Sequence, residues 1–316
     1  MSYRAHKPAR REVLRGDQGG PEFIARGLSR IDAARRGAFS SDLSPAGTAL
    51  TARVGARAVA QVMGACVYSI GVSGAPVLGD PGYLEFYGRQ PRSGPVMFEM
   101  QRVSGAYNSA RQTALTRMAA QATRAKANVV LGVQIGLTEH ESSDMRTVEF
   151  LATGTALRLD HGPPVDQPSL AALSASDYYC LREAGYEPVG IAAATSIYYV
   201  RPSVDTARAM TKRRRAAPPN QELADFSAAA TAARATCETR MHDQATKLSG
   251  TGIVAISLEL QHSLSAGLTA EEPRSTTQRR GNLHVTAHGL GTIVQPRPQA
   301  DTAGAHPPVR PVLWLT

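Results

Sequence analysis

The feature that most restricts how this chain can fold is an internal sequence repeat. The stretch from Ala110 to Thr123 recurs from Ala233 to Thr246, with Ala-Arg, Thr-Arg-Met and Gln-Ala-Thr groups at identical spacing. Three weaker matches keep the same order along the chain: 43–71 with 173–201, 130–135 with 253–258, and 150–154 with 285–289. Matches in the same order indicate an internal duplication. The fold is therefore expected to contain two similar units within 316 residues.

The repeated block predicts one long helix in each copy. Small and apolar residues recur there at helical spacing, which gives each helix one apolar stripe. The stripe residues are Ala114, Met118, Ala122 and Ala125 in the first copy and Cys237, Met241, Ala245 and Leu248 in the second. Short helices at 45–53 and 175–184 should begin after the N-cap residues Ser44 and Ser174.

The segments on either side of the long helices predict strands and loops. Segments 58–70 and 188–200 are rich in Val, Ile and Tyr, so each predicts the first strand of its copy. After the second helix the residues alternate, which puts Val254, Ile256, Leu258 and Leu260 on one face of a half-buried strand. The Gly- and Pro-containing insert 72–105 and the insert 202–220 are predicted to be loops.

These elements predict an α+β fold of two tandem small units. Each unit is expected to form a roughly three-stranded, antiparallel-type sheet covered by one long helix. Three strands alone are marginally stable, so the units should pair in a pseudo-twofold or ring assembly. The expected organisation is a basic flexible arm at 1–40, units at 41–160 and 173–295 joined by a linker at 161–172, and a Pro-rich tail at 296–316.

The formal net charge of +9 is unevenly distributed. One basic segment lies within residues 1–36, and another is the run Lys212, Arg213, Arg214 and Arg215. Such segments could contact nucleic acid or an acidic protein surface, or they could only be solubilising. Because only 5% of the residues are aromatic, any nucleic-acid binding should be non-specific and strongly salt-dependent.

Other composition features bear on compartment and activity. The three cysteines are far apart, so the sequence predicts neither a disulfide framework nor a zinc knuckle, and a reducing compartment fits best. No stretch approaches the roughly 20 apolar residues of a membrane helix, and no signal peptide is visible. We expect a cytoplasmic protein without a membrane partner. Catalytic elbows, phosphate loops and dinucleotide fingerprints are also missing, so no enzyme is predicted.

Three motifs resemble the YbjQ-type family, which is described as heavy-metal-binding. They are Ser104-Gly105-Ala106-Tyr107 before the long helix, Ala127-Asn128-Val129-Val130-Leu131-Gly132-Val133 after it, and Ala152-Thr153-Gly154-Thr155-Ala156. The resemblance implies two tandem YbjQ-like units, ring-forming homo-oligomers and a divalent transition metal as a cofactor. The second copy lacks the Ser-Gly-Ala-Tyr motif and has Gly289-Leu290-Gly291 in the last one. A site built on these loops should therefore survive only in the first copy.

The candidate metal ligands each have an ordinary alternative. Met63 and Cys66 form a soft-ligand group, although buried Met and Cys usually fill a core. His140 lies between two glutamates after the expected end of a strand, where a solvated loop end is equally typical. His284 and His288 are about 13 Å apart on an extended strand, so they cannot share one ion, although His262 could approach either of them.

The repeated polar residues of the long helices are candidate ligand or interface residues. Arg117 and Gln121 recur as Arg240 and Gln244, each pair one turn apart beside the apolar stripe. Retention in both copies favours a structural role, such as bonding a carbonyl or a carboxylate across a subunit contact. Tyr107, at the expected entrance of the first long helix, could line a pocket or pack against the first turn.

Two functional hypotheses follow from the sequence. The first is a non-enzymatic, oligomeric binding protein that holds a heavy metal or a small ligand between units. The second is a basic assembly or scaffold protein that contacts an anionic partner through its basic segments.

Overall fold

A computed structural model of the chain describes residues 41–70, 94–142, 145–160, 165–210, 220–265 and 282–297. The predicted N-terminal arm, nearly all of the Pro-rich tail and the basic run 212–215 lie outside these residues. The predictions about those segments therefore stay predictions. Among the residues described, no helix has the length and apolar character needed to cross a membrane.

The fold is mixed α+β, as the sequence predicts. The first half contains α1 (Pro45–Arg53), β1 (Ala56–Ile70), β2 (Val96–Glu99), α2 (Gln101–Arg124), β3 (Val129–Ser142) and β4 (Met145–Leu159). The second half contains β5 (Ser169–Leu170), α3 (Ala175–Glu183), β6 (Tyr186–Arg201), α4 (Val204–Met210), α5 (Ala224–Lys247), β7 (Gly252–Ser265) and β8 (Asn282–Pro296). Ser44 and Ser174 accept hydrogen bonds from the first turns of α1 and α3, which confirms both N-caps.

In the part of the chain that the structure describes, the strands form two four-stranded sheets, ordered β1-β4-β3-β5 and β2-β6-β8-β7. The prediction of about three strands per sheet is wrong, because each sheet gains a short strand from the other half of the chain. Strand β2 pairs antiparallel with the β6 end at Tyr198–Arg201, and β5 pairs parallel with the start of β3. The predicted loop inserts therefore contain β2 and, in the second half, the helix α4.

The two halves share unusual backbone positions. Lys126 and Ser249, which follow the two long helices, both have φ of 56°, and Gly55 and Gly185 before β1 and β6 also have positive φ. Register shifts interrupt the ladders at matching places, between Ala58 and Ala60 in β1 and between Pro188 and Gly190 in β6. In β3 and β7 the shifts coincide with Gly132 at φ 62° and Ala255 at φ 51°.

The bulge at Ala255 explains why one predicted face is wrong. An extra residue in a strand reverses the facing of the residues that follow it. Val254, before the bulge, packs with Leu131 and Tyr178, whereas Leu258, after it, packs against the α5 cluster, so these two residues do not share a face. Ile256 and Leu260 are 50% and 38% exposed. Leu248 is also exposed, because α5 ends at Lys247 before its stripe is complete. The other seven predicted stripe residues are buried.

Helix α2 lies between the two sheets. It packs on β1 and β4 of the first sheet and also contacts β6 of the second. Its core cluster accordingly contains Ile197 and Tyr199 of β6 beside first-sheet residues such as Val62 and Phe150. Helix α5 covers the other face of the second sheet, where Ala192 and Ala194 of β6 point toward it. Helix α2 thus packs on strands of both sheets, whereas α5 packs on strands of the second sheet.

Candidate functional site

The junction between the halves is formed where α2 runs along the edge of β6. The backbone N–H of Met100 donates to the Ile197 carbonyl over 2.8 Å, and the Ile197 N–H donates to Ser104 Oγ over 3.0 Å. One turn later on α2, and two residues earlier on β6, the side-chain amide of Asn108 donates to the Thr195 carbonyl and accepts from the Thr195 N–H, each over 2.9 Å. The helix therefore supplies to the strand edge the hydrogen bonds that a neighbouring strand would otherwise supply.

Arg111 continues this row one turn after Asn108 and is only 4% exposed. It donates to Thr195 Oγ1 over 2.6 Å, to the Ala193 carbonyl over 3.0 Å and to Asn108 Oδ1. Burial, opposed in part by Cys237 and assisted by Arg240, lowers the Arg111 pKa to about 10, so the guanidinium stays charged at neutral pH. A buried cation held by neutral oxygens is costly unless an anion approaches it.

A bidentate ion pair closes the other end of the junction. Glu99, at the end of β2, accepts from both terminal nitrogens of Arg240 on α5, over 2.6 and 3.0 Å. The side chains are 12% and 31% exposed, so the pair is partly shielded from solvent. Two-point contacts of this kind fix orientation as well as adding binding energy. The ion pair therefore links β2 of the first half to the long helix of the second.

A pocket of about 410 Å³ opens beside Arg111 between the halves. Its first-half wall comes from α2, β3 and β4, and its second-half wall comes from β7 and β8. The lining residues are Arg111, Ile135, Leu137, Glu139, Phe150, Ser257, Glu259, Gln261, His288, Gly289 and Leu290. The pocket thus combines one buried cation, two carboxylates and an apolar floor.

Tyr107 and His288 buttress this pocket. The fully buried Tyr107 donates its hydroxyl to Glu139 Oε1 over 2.6 Å, and its ring stacks near that of His288 with centroids 6.2 Å apart. His288 Nδ1 lies 2.9 Å from Thr195 Oγ1. Burial, together with the nearby charge of Arg111, lowers the His288 pKa to about 4, although Glu259 and Glu139 act in the opposite direction. The imidazole is therefore neutral at pH 7.

The prediction that Tyr107 lies at the start of the first long helix is wrong. Because α2 begins at Gln101, directly after β2 pairs with β6, the whole Ser104–Tyr107 motif lies inside the helix. Tyr107 is fully buried and does not line the pocket itself, although its hydroxyl bonds Glu139, which does.

The repeated Arg and Gln residues brace each long helix to its own first strand. Arg117 donates to the Ala65 carbonyl over 2.6 Å, and Gln121 accepts from the Met63 N–H over 3.1 Å. The equivalent contacts in the second half are made by Arg240 with the Thr195 carbonyl and by Gln244 with the Ala193 N–H and carbonyl. These contacts connect elements of the same half; the structural alternative of a contact across a subunit boundary stays a prediction.

The structure does not bring the predicted metal ligands together. Cys66 lies in the core facing α2, where burial raises the pKa of its thiol, whereas Met63 is three residues away on the opposite face of β1. His140 lies within β3 rather than after it, is 60% exposed and sits 3.7 Å from Glu149. His284 and His288 contact different rings, those of Tyr199 and Tyr107.

The described residues contain no group of three His, Cys, Asp or Glu side chains that could hold a metal ion. Burial also raises the pKa of Cys237 to about 11, and a protonated thiol is a poor ligand. The donor set that the structure describes therefore does not fit a heavy metal.

Sequence reasoning missed Ser104, Asn108 and Arg111 as a group. Their spacing of four and three residues places them on one face of a helix, next to the apolar stripe. That spacing was visible in the sequence, but its meaning depends on the edge of β6, which is distant along the chain. Glu139, Glu259 and His288 lie on three different strands, so their meeting had no local signal.

Comparison with known proteins assigns part of the chain to a family. Residues 97–160, from β2 to the end of β4, match the sequence model of the YbjQ_1 family, whose description is "Putative heavy-metal-binding". The recognition of a YbjQ-type resemblance is therefore confirmed for this segment, which lies in the first half of the chain.

A curated relative adds a second finding. The chain is 34% identical over 145 residues to the encapsulin nanocompartment protein Rv1762c of Mycobacterium tuberculosis. The aligned part is 43% of this chain and 50% of that protein, so the chain spans about half the length of this relative.

Proposed function

We propose that this chain is a non-enzymatic assembly protein made of two copies of one YbjQ-like module, and that copies of the chain join head to tail. In this arrangement, α5 of one chain lies along the β1 edge of the next, as α2 lies along β6 within a chain. The single observation that carries the proposal is that the polar row of α2 at the junction recurs on an exposed face of α5.

The recurring row is Ser227, Thr231 and Arg234. The alignment that pairs Arg117 with Arg240 also pairs these residues with Ser104, Asn108 and Arg111. In α2, Ser104 and Arg111 are buried and Asn108 is half-buried, whereas all three equivalents in α5 are exposed. Hydroxyl and guanidinium groups can serve the backbone of a strand edge as the first row does. The second row is thus equipped for the same contact, and within one chain its contacts stay on α5 itself: Arg234 pairs with Glu238 over 2.8 Å, and Thr231 donates to the Ser227 carbonyl.

The surface that would receive α5 is the outer edge of β1. Within the described residues, β1 pairs only with β4, while its equivalent β6 is bordered on both sides by β8 and by β2 with α2. Val67 and Tyr68 on β1 are 65% and 40% exposed. An exposed strand edge with large apolar residues favours pairing with another chain.

A complementary charge pair supports the same orientation. Glu222 precedes α5 as Glu99 precedes α2, and Arg117 is the equivalent of Arg240. Glu99 and Arg240 form the bidentate pair of the junction. Glu222 is exposed, and neither it nor Arg117 has an ion-pair partner in the ranges that the structure describes. A head-to-tail contact would bring Glu222 of one chain to Arg117 of the next.

The matching backbone positions of the two halves, and the name of the mycobacterial relative, also support the proposal. A duplicated module whose copies contact each other in one direction forms a heterologous interface, which continues until it closes or forms a filament. "Nanocompartment" in the relative's name denotes an assembly, and this chain matches half of that protein.

The test is charge reversal at the proposed contact. Glu222→Arg should reduce the number of chains per particle in native mass spectrometry and sedimentation velocity, because it places two cations together. The double variant Glu222→Arg with Arg117→Glu should restore assembly, since each interface then regains an opposite pair. Glu183→Arg, an equal charge change on α3, is the matched control and should assemble like the wild type.

Circular dichroism would establish that each variant folds. If the double variant does not fold, Arg234→Glu provides an independent test, because Arg234 is exposed and belongs to the same row. A wild-type chain that stays monomeric at tens of micromolar, or a Glu222→Arg variant that assembles normally, would show that the proposed interface is wrong.

A further inference from the structure

We infer that the pocket between the halves binds a small zwitterion, an α-amino acid with an apolar side chain. Its carboxylate would lie at Arg111, its ammonium group at Glu139 and Glu259, and its side chain on the apolar floor. This site lies within one chain, so it is independent of the proposed head-to-tail assembly.

The anion side of the site is Arg111. A guanidinium has five N–H donors, and the three hydrogen bonds of Arg111 use acceptors that are all uncharged. Two donors therefore remain beyond these bonds, Arg111 lines the pocket, and it has no carboxylate partner within the described ranges. A carboxylate bound there would both satisfy these donors and neutralise a charge that is otherwise buried.

The cation side of the site is the carboxylate pair. Glu139 is held in place by the hydroxyl of Tyr107, and Glu259 stands directly opposite His288 in the β7–β8 ladder. Both carboxylates and Arg111 act electrostatically on the His288 ring, which places all three charges around one point. Glu139 and Glu259 thus bring two carboxylates, and Arg111 one guanidinium, to the lining of the same pocket.

This charge distribution selects among ligand classes. A simple anion would be attracted by Arg111 but repelled by two carboxylates, and a cation would experience the opposite. A metal ion would lie close to the Arg111 charge, and the described residues lack a ligand group for it. A molecule with separated positive and negative ends satisfies both sides.

Size and polarity define the rest of the ligand. The volume of about 410 Å³ lies in the usual range for small-molecule sites, roughly 300–1,000 Å³. Ile135, Leu137 and Phe150 provide apolar surface, and the Arg111 guanidinium lies 5.9 Å from the centroid of the Phe150 ring. An aliphatic or aromatic amino-acid side chain can bury its surface against these residues.

The experiment is calorimetric titration of the full chain with three matched probes. L-leucine carries both charges, 4-methylpentanoate lacks the ammonium group, and 3-methylbutylamine lacks the carboxylate. L-leucine should bind at least about tenfold more tightly than either single-charge probe, because each of those probes lacks one of the two ion pairs. The absence of saturable binding of L-leucine and L-phenylalanine at millimolar concentration would overturn the inference.

Two variants assign the charges to residues. Glu259→Gln should weaken L-leucine binding by about fivefold and leave 4-methylpentanoate unchanged or tighter, because a repulsive carboxylate is removed. Arg111→Met should abolish binding of both, with circular dichroism reporting whether it folds. Glu183→Gln, outside the pocket, is the matched control. If L-leucine binds Glu259→Gln as it binds the wild type, the assignment of the ammonium subsite is wrong, whatever the fate of Arg111→Met.

Discussion

Gly64 is the point where the long helix α2 comes closest to the first sheet. A Cβ atom at this position would overlap the Ala114 carbonyl oxygen and would lie 2.6 Å from the Met118 nitrogen. Both are backbone atoms of α2, which cannot move aside as the end of a flexible side chain can. The absence of a side chain at Gly64 therefore sets the distance between helix and sheet, and with it the position of Arg111 at the junction.

The first residue-scale prediction concerns this contact. Gly64→Ala should lower the free energy of unfolding by about 1–3 kcal/mol, because the added methyl group overpacks the helix–sheet interface. Chemical denaturation followed by circular dichroism measures the change. The matched control is Gly136→Ala on β3, where the nearest atoms are 3.8–4.0 Å from the added Cβ and the loss should be much smaller. Equal effects at the two glycines would contradict this explanation.

At the residue scale, roles that depend on a single helix were accessible from the sequence. The retention of Arg117 and Gln121 as Arg240 and Gln244 indicated structural use, and all four bond the first strand of their own half. Cys66 illustrates the opposite case. Its two predicted roles, core residue or metal ligand, could be distinguished only by the face of β1 on which the Cys66 side chain lies.

The element that defines the junction is helix α2, which has two buried faces. One face carries the predicted apolar stripe against the first sheet, and the other carries Ser104, Asn108 and Arg111 against the edge of β6. Helix α5 has the first face but exposes the second. The two long helices thus have similar sequences but different contacts, because within one chain only α2 has the edge of β6 beside its polar face.

The element-scale prediction removes the central contact of the polar face. Asn108→Ala should destabilise the fold by about 1–3 kcal/mol, since it leaves the N–H of Thr195 without its partner in a partly buried edge, although the Thr195 carbonyl keeps its bond from Arg240. Ser109→Ala, on an exposed position of the same helix, should change stability little. Urea denaturation of both variants gives the comparison, and a negligible effect of Asn108→Ala would show that water satisfies this edge equally well.

The elements themselves were predictable where local signals determine them. Ser44 and Ser174 marked helix starts, and the small-residue spacing located both long helices. The pairing of β2 with β6 and of β5 with β3 had no local signal, because short strands are specified by the edge that they join. The bulge at Ala255 was also invisible, since alanine rarely adopts positive φ and the alternating pattern continued through it.

At the scale of the whole molecule, α2 ties the halves into one body while α5 leaves an equivalent surface open. The three charged residues of the pocket come from α2, β3 and β7, so the site exists only when both halves are docked. Their distance along the chain explains why the sequence predicted neither the pocket nor its polarity. The site thus depends on the tertiary junction rather than on a motif.

The prediction at this scale links stability to concentration. If the open α5 face and the β1 edge join in solution, the melting temperature should rise by about 2–4 °C for each tenfold increase in chain concentration, because association favours the folded state. Differential scanning calorimetry over two decades of concentration measures this dependence. Glu222→Arg should remove it without lowering the melting temperature of the dilute chain.

If the two halves are copies of one module, as proposed, the number of modules in any closed particle is restricted. Each chain contributes one internal α2–β6 junction and, in the proposed arrangement, one external junction of the same direction. A closed ring of such chains therefore always contains an even number of modules. A ring of five or seven modules cannot be formed from intact chains. In this arrangement the chain can form only rings with an even number of modules or an open helical filament.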